Sequence, residues 1–79
     1  MNLFDQLRNA IAMTLKVPPS KITEHTKDED IGAWDSLGHT NLMMMLEQTF
    51  GVALEVEDFP RLTSVAAIIE YLEKRGVSA

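Results

Sequence analysis

Hydrophobic residues recur at helical spacing in the first part of the chain. The apolar positions of this pattern are Leu3, Phe4, Leu7, Ala10, Ile11 and Leu15. Asn2 stands where an N-cap is expected, and Asp5 lies in the first turn, where the positive end of the helix dipole favours an acid. Lys16 falls in the last turn, and Pro18 with Pro19 cannot continue a helix. The pattern predicts a first helix that ends before the two prolines.

Two further stretches repeat this spacing. One runs from about Ser36 to Phe50, with Asp35 as its N-cap and Gly51 as a left-handed C-terminal cap. The apolar positions of the other are Val65, Ile68, Ile69 and Leu72. Thr63 or Ser64 can cap that last helix at its start. At its end Lys74 and Arg75 suit the negative end of the dipole, and Gly76 follows as the stop.

The two long connections differ in character. Residues 20–34 are polar in the middle, and Ile22 and Ile31 are expected to plug into the core. Residues 52–62 are ambiguous, because Leu54, Val56 and Phe59 with Pro60 fit either a single helical turn or an extended strap. No pair of strand-like segments is present. We therefore expect an all-α fold: a small right- or left-turning bundle of three main helices plus a short fourth helical turn.

Length and composition limit what such a bundle can do. With 79 residues, 46% of them hydrophobic, the chain 1–79 is expected to form one domain with a modest core. A deep, water-excluding active site with its supporting residues is difficult to fit into that size. These values favour a binding or carrier module over an enzyme.

Charge and cysteine content narrow the choice further. The net charge of −5 argues against nucleic acid as a partner and favours basic proteins. The chain has no Cys, so any thiol that it presents must come from a cofactor. Its start lacks the basic run and apolar stretch of a signal peptide, and no segment is long enough for membrane insertion. We expect a monomeric, cytoplasmic protein.

The second helix carries apolar residues on two sides. At about 100° per residue, one side faces the core. Its members are Leu42, Met43, Leu46 and Phe50. Leu37 and Met44 fall nearly opposite, on one stripe with Asn41 and Gln48. Either Met44 is tucked under a loop, or the stripe is a docking surface, for which Met offers an adaptable contact.

Ser36 lies between these two sides, in the first turn of the helix. The free backbone N–H groups and the helix dipole favour an anion there, so a phosphate ester on this hydroxyl would be stabilised. The alternative is that Asp35 and Ser36 are only a common helix start. A hydrolytic triad of Asp35, Ser36 and His39 is disfavoured, because Asp35 is a cap and His39 falls on the core side of the helix. Glu24, His25 and His39 make a poor metal site, so no metal is expected.

Several motifs occur together around Ser36. Residues 32–39 read Gly-Ala-Trp-Asp-Ser-Leu-Gly-His and lead into the aliphatic run 42–46, then Glu47 and Phe50-Gly51. Thr-Ser-Val follows at 63–65 and Tyr-Leu at 71–72. Together these motifs resemble the acyl and peptidyl carrier protein family. The resemblance covers essentially the whole chain, including its length, its acidity and its lack of Cys.

The resemblance implies a function and a cofactor. In that family the serine, here Ser36, is esterified with 4′-phosphopantetheine, which a phosphopantetheinyl transferase takes from coenzyme A. Such a phosphoprotein holds acyl or aminoacyl groups as thioesters on the arm's thiol. It receives them from a loading ligase and presents them to a downstream synthase or transferase. Asp35 would help to hold the transferase's magnesium ion as well as cap the helix, and the carrier itself would have no catalytic residue.

Two further groups of residues are expected to serve the carrier role. The partner-docking residues are Leu37, Asn41, Met44, Glu47 and Gln48. The acyl-pocket residues, which would shelter the carried chain between helices, are Met43, Leu46, Phe50, Leu62 and Ala67. Met is compliant, so such a core could open for an apolar chain without a preformed cavity.

The chain also departs from the fatty-acid carriers. Trp34 lengthens the stretch between the glycine and the Asp-Ser pair, and Gly38, Asn41 and Gln48 occupy positions that we interpret as outward and that are often acidic in those carriers. We therefore expect this surface to attract basic partners more weakly than it does in those carriers. We therefore expect a carrier for a specialised pathway, such as lipid or polyketide biosynthesis, rather than the housekeeping fatty-acid cycle. The alternative is a cofactor-free helical interaction module that uses the Leu37/Met44 stripe alone.

Overall fold

The computed structural model describes residues 2–77. It contains three α-helices, α1 (Leu3–Leu15), α2 (Ser36–Phe50) and α3 (Val65–Lys74). Three short 3₁₀ segments, Pro19–Lys21, Asp28–Asp30 and Val56–Arg61, lie in the connections, and the described residues form no strand longer than a single bridge. The predicted all-α class with three main helices and a short additional turn is confirmed.

Each helix begins at a side-chain cap. The Asn2 side chain accepts from the Asp5 amide at 2.8 Å, and the Asp35 carboxylate accepts from the Gly38 amide at 2.8 Å. Ser64, rather than Thr63, caps α3. These bonds satisfy amides that have no acceptor inside the helix, which explains why the capping residues mark the helix starts so well.

The helix ends follow from backbone conformation. Gly51 closes α2 at φ 66°, in the left-handed region where glycine carries no steric penalty. Lys16 closes α1 in the same region, at φ 58°. The sequence placed Lys16 in the last turn, and that prediction is wrong by one position: it is the cap, so α1 ends before the chain reaches Pro18.

The core lies where the buried faces of the three helices meet. Its fully buried side chains are Leu7, Ile11, Leu42, Met43, Leu46, Val65, Ile68 and Leu72. Ile22 and Ile31 are buried as predicted and join this cluster from the first long connection. Trp34 is also buried there, whereas Phe50 is only half-buried against the cluster.

One backbone bridge joins the first connection to the start of α3. Lys27 pairs with Ser64 in an antiparallel bridge. The Asp28 amide donates to the Thr63 carbonyl at 2.8 Å, and the Val65 amide donates to the Thr26 carbonyl at 2.9 Å. The bridge joins two single polar residues that are far apart in the sequence, so hydrophobic patterning gave no sign of this contact.

The connection between α2 and α3 contains a short helical segment, one of the two alternatives left open by the sequence. Residues 52–55 have no regular secondary structure, with Glu55 in an extended conformation, and the 3₁₀ segment Val56–Arg61 follows. The Leu54 amide donates to the Glu47 carboxylate at 3.0 Å, and the Ala53 carbonyl accepts from the Arg75 guanidinium at 3.1 Å. These bonds tie Leu54 to α2 and Ala53 to the end of α3. No helix among residues 2–77 is both long and apolar enough to span a bilayer.

Candidate functional site

Ser36 is the first residue of α2, and its side chain is exposed. Asp35 turns its carboxylate to the Gly38 amide, and the Asp35 carbonyl accepts from the His39 amide at 2.7 Å. Within the described chain, the Ser36 hydroxyl has no hydrogen-bond partner. The hydroxyl is therefore free to react at the positive end of the helix dipole.

An open groove of about 380 Å³ lies beside this hydroxyl. It is bounded by the end of the first connection, the first turn of α2 and the residue before the Ser64 cap. Its lining residues are Asp28, Trp34, Asp35, Ser36, His39 and Thr63. The sequence identified Asp35 and Ser36 as site residues but not Trp34 or Thr63, because an aromatic residue or a threonine in a loop carries no signal of its own.

The geometry of His39 excludes a hydrolytic triad. The Trp34 indole N–H donates to Nδ1 of His39 at 2.9 Å, and Nε2 of His39 lies 2.7 Å from the Phe59 carbonyl oxygen. With both ring nitrogens engaged and the Asp35 carboxylate on a backbone amide, His39 cannot serve as a base for Ser36. His39 is the half-buried packing residue of the first turn.

The apolar stripe on the outside of α2 is exposed. Leu37 is 71% and Met44 is 49% exposed, and Asn41 and Gln48 are exposed beside them. Met44 is therefore not tucked under a loop. Val56, at the start of the Val56–Arg61 segment, is 77% exposed and was not singled out from the sequence. Its position depends on a connection that the sequence left ambiguous.

Two residues of α2 have roles within the chain that the sequence did not show. One carboxylate oxygen of Glu47 is engaged by the Leu54 amide, so this acid braces the following connection. Gly38, interpreted as an outward position, is half-buried: a Cβ there would lie 2.1 Å from the Ala33 carbonyl oxygen. That interpretation is wrong, because a side chain at residue 38, acidic or otherwise, would collide with the backbone at Ala33 unless the preceding loop shifted.

The five residues suggested for an acyl pocket fall into two groups. Leu62 and Ala67 line an open pocket of about 230 Å³ between the Val56–Arg61 segment and α3. The remaining lining residues are Arg61, Glu70, Tyr71 and Lys74. Met43 and Leu46 lie fully inside the core, and Phe50 packs against it. The structure brings only Leu62 and Ala67 of the five to this pocket.

Comparison with known families identifies the chain. The family model for a phosphopantetheine attachment site matches residues 5–72, a span centred near the exposed serine. The chain belongs to the acyl carrier protein family. It is 36% identical over 77 residues to an acyl carrier protein of Campylobacter curvus (strain 525.92), covering 96% of this chain and 99% of that one.

Other acyl carrier proteins match at similar levels. The chain is 35% identical over 74 residues to one from Thermotoga maritima, with 92% of this chain and 90% of the relative covered. It is 32% identical over 74 residues to one from Wolinella succinogenes, with 92% and 96% covered. The resemblance inferred from the motifs around residues 32–51 is thus confirmed.

Acyl carrier proteins hold a 4′-phosphopantetheine prosthetic group, and the predicted cofactor is therefore confirmed. The alternative of a cofactor-free interaction module is wrong. The start of α2 fits such a group, because an exposed hydroxyl without a hydrogen-bond partner among residues 2–77 lies at a helix N-terminus beside an open groove. As a class, acyl carrier proteins are carriers that work with a transferase and acyl-handling enzymes.

Proposed function

We propose that the hydroxyl of Ser36 is the attachment point of the phosphopantetheine arm, and that the chain carries acyl or aminoacyl groups on it for a specialised biosynthetic pathway. One observation carries the assignment: the Ser36 hydroxyl is exposed and has no hydrogen-bond partner among the described residues, at the start of α2. The attached group supplies a thiol at the end of a flexible arm, to which cargo binds as a thioester.

The first turn of α2 suits the phosphate of that arm. The amides at the start of a helix have no acceptor within the helix, and the dipole adds a partial positive charge. The Asp35 carboxylate satisfies the Gly38 amide, which leaves the earlier amides of the turn for an anion. In the transferase complex, Asp35 would also help to hold the magnesium ion.

The exposed stripe of α2 is the proposed docking surface. Leu37 and Met44 supply apolar contacts, and Asn41 and Gln48 supply neutral polar ones. Since Leu37, Asn41, Met44 and Gln48 carry no charge, Glu47 alone supplies a negative charge among the proposed docking residues, and this surface attracts basic partners weakly. That weak attraction, together with Trp34 before the Asp-Ser pair, supports partners other than the housekeeping fatty-acid enzymes.

The chain contributes no bond-making chemistry in this proposal. The ring nitrogens of His39, the histidine nearest to Ser36 in sequence, are both occupied. The proposed partners are the transferase, a loading ligase and a downstream synthase or acyltransferase. Sheltering of the cargo would use the pocket at Leu62 and Ala67 and widen it toward Met43, Leu46 and Phe50.

Attachment is tested by incubating the unmodified protein with coenzyme A, magnesium and a broad-specificity phosphopantetheinyl transferase. We expect an intact-mass increase of one phosphopantetheine group and one titratable thiol, which reports the arm directly because the chain has no Cys. Ser36→Ala should gain neither, whereas the exposed control Ser20→Ala should gain both. Equal modification of Ser36→Ala and the wild type would reject the assignment.

The specialised role has its own test. A condensing enzyme of bulk fatty-acid synthesis should turn over the loaded wild-type carrier slowly. The variant Asn41→Asp/Gln48→Glu should be used several-fold better at low salt, and the gain should disappear at high salt. Rapid turnover of the wild type by that enzyme would argue for the housekeeping cycle instead.

Sheltering of the cargo is tested by loading a medium-length acyl group. If the chain enters the bundle, the melting temperature should rise and the amides near Leu62 and Ala67 should exchange more slowly. Unchanged values would place the cargo in solvent.

A further inference from the structure

Two hydrogen bonds join three parts of the molecule through one imidazole ring. The Trp34 indole N–H donates to Nδ1 of His39 at 2.9 Å, and Nε2 of His39 lies 2.7 Å from the Phe59 carbonyl oxygen. The Trp34 and His39 rings stack with their centroids 6.2 Å apart, and the Phe59 ring meets His39 edge-on at 6.3 Å. The loop before α2, the first turn of α2 and the Val56–Arg61 segment are thereby connected.

The two hydrogen-bond partners of His39 fix the tautomer of its ring. An indole N–H can only donate and a backbone carbonyl can only accept. Nδ1 of His39 must therefore be the acceptor, and Nε2 must carry the proton that is donated to Phe59. Both ring nitrogens are hydrogen-bonded, in one tautomer, to groups that take no part in chemistry at Ser36.

Trp34 and His39 flank the turn that carries Ser36. Trp34 precedes Ser36 by two residues and His39 follows it by three, and all three line the same groove. Trp34 is only 4% exposed, and its amide donates to the Ile31 carbonyl at 2.9 Å. Trp34 is therefore held at both its backbone and its side chain, which restricts the orientation of the Asp35–Ser36 step that follows.

We propose that His39 is a positioning residue, which holds the Ser36 turn in a fixed orientation against the Val56–Arg61 segment so that the transferase meets the hydroxyl already oriented. This inference rests on the proposed attachment at Ser36. A residue that only fills space would be replaced without loss by an apolar side chain of similar size. A positioning residue requires its hydrogen bonds.

Variants of His39 separate the two bonds. His39→Asn keeps an acceptor near the position of Nδ1 but is too short to reach the Phe59 carbonyl. His39→Gln places an amide donor near that carbonyl but has no acceptor at the Nδ1 position. His39→Leu keeps apolar volume and loses both bonds, and Trp34→Phe removes the indole donor while keeping an aromatic ring. The matched control is His25→Leu, at the other histidine of the chain, whose side chain is exposed.

The first measurement is the rate of phosphopantetheine transfer, followed by intact mass well below the unfolding temperature. Because two neutral hydrogen bonds are lost, we expect kcat/KM for His39→Leu to fall by about tenfold. The loss should appear in kcat, with KM nearly unchanged, because Leu37 and Met44 still dock the partner. His39→Asn and His39→Gln should lie between, and His25→Leu should match the wild type.

The second measurement needs no transferase. The indole N–H proton of Trp34, the only tryptophan of the chain, is followed by NMR in the unmodified protein. We expect slow exchange with solvent in the wild type and in His39→Asn. Exchange should be at least several-fold faster in His39→Gln and His39→Leu, where the acceptor is lost.

The outcomes distinguish the positioning role from the attachment itself. Absence of transfer to the wild type would overturn the attachment at Ser36 and the positioning role together. Normal transfer to the wild type with an unchanged kcat for folded His39→Leu would overturn only the positioning role. If circular dichroism shows that His39→Leu does not fold, His39→Asn and His39→Gln decide: wild-type kcat in both would overturn the proposal, and reduced kcat in both would support it.

Discussion

The two faces of α2 use the same kinds of side chain for opposite purposes. Leu42, Met43 and Leu46 are fully buried, whereas Leu37 and Met44 on the outer face remain exposed. Burial of a large apolar side chain stabilises the fold by about 1.5–3 kcal/mol, and an exposed one contributes little. A domain of this size has limited apolar area to bury, so apolar residues that stay outside point to a role in contact with partners. Substitutions on the two faces should therefore separate stability from function.

The largest effect is expected from the buried face. Leu46→Ala should lower the free energy of unfolding by about 3 kcal/mol, because it removes buried methyl groups and leaves a cavity. Urea unfolding followed by circular dichroism measures this. Below the unfolding transition, transfer of phosphopantetheine to Ser36 should be nearly normal. A loss below about 1 kcal/mol would mean that the buried face does not carry the stability.

Gly38 provides a second test of the comparison, because it is half-buried although the sequence predicted an outward position. A Cβ at residue 38 would lie 2.1 Å from the Ala33 carbonyl oxygen, so Gly38→Ala must push the preceding loop away from α2. We expect a loss of about 1–3 kcal/mol in urea unfolding, although alanine ordinarily favours a helix. The control Gln48→Ala, on the exposed face, should change stability by less than about 0.5 kcal/mol. Unchanged or raised stability of Gly38→Ala would show that the loop yields easily.

The sequence predicted those parts of the fold that depend on local chemistry. Caps at Asn2 and Asp35, the left-handed Gly51 and the buried face of α2 follow from helix geometry and apolar spacing, and each is observed. The bridge between Lys27 and Ser64 and the contact of Gly38 with Ala33 depend on segments that meet only in the folded chain. Neither leaves a periodic trace, so patterning could not reveal them.

The functional site likewise combines features that follow from local sequence with contacts that form only in the folded chain. The exposed hydroxyl of Ser36 and its capping neighbour Asp35 could be expected from the helix start. The engagement of both His39 nitrogens could not, because Phe59 comes from a connection whose conformation the sequence left open. The brace between Glu47 and Leu54 was missed for the same reason.

Asp35, the N-cap of α2, is proposed to contribute both to stability and to transfer of the arm. Asp35→Ala should lower the free energy of unfolding by about 1 kcal/mol, because the Gly38 amide loses its acceptor. Asp35→Ser should restore most of that stability, since serine also caps helices, but without a carboxylate for the transferase's magnesium it should remain slow in transfer. Comparing urea midpoints and transfer rates of the two variants separates the roles. Transfer by Asp35→Ser at the wild-type rate would remove the magnesium role.

A polar contact between α3 and the Val56–Arg61 segment provides a reference for these effects. Burial, reinforced by the hydrogen bond that Tyr71 donates to Asp58, raises the pKa of Tyr71 above its ordinary value of 10.0, and the charge of Arg75 opposes the shift. Since the folded state favours the neutral phenol, its stabilising contribution is fully present below pH 10 and is lost as the pH rises through the raised pKa. Alkaline titration of stability should show this loss in the wild type and not in Tyr71→Phe. A steeper alkaline loss in Tyr71→Phe would contradict the assignment.

The smallest effect on stability is expected from the exposed face. Leu37→Ala and Met44→Ala should change the free energy of unfolding by less than about 0.5 kcal/mol. Both should nevertheless raise the transferase KM several-fold, because apolar contacts to the partner are lost. Met13→Ala, at an exposed position of α1, is the control and should change neither value. A large loss of stability in Leu37→Ala would erase the distinction between the two faces.

The bridge between Lys27 and Ser64 has a consequence for how the chain folds. It closes a loop that contains all of α2, and closing a loop costs chain entropy before its contacts stabilise it. The start of α3, which is capped by Ser64, is hydrogen-bonded to the first connection on both sides of this bridge. We therefore expect the halves on either side of α2 to order together, in one cooperative step. A chain truncated before residue 64 would lack this closure, and we expect its helices to order incompletely.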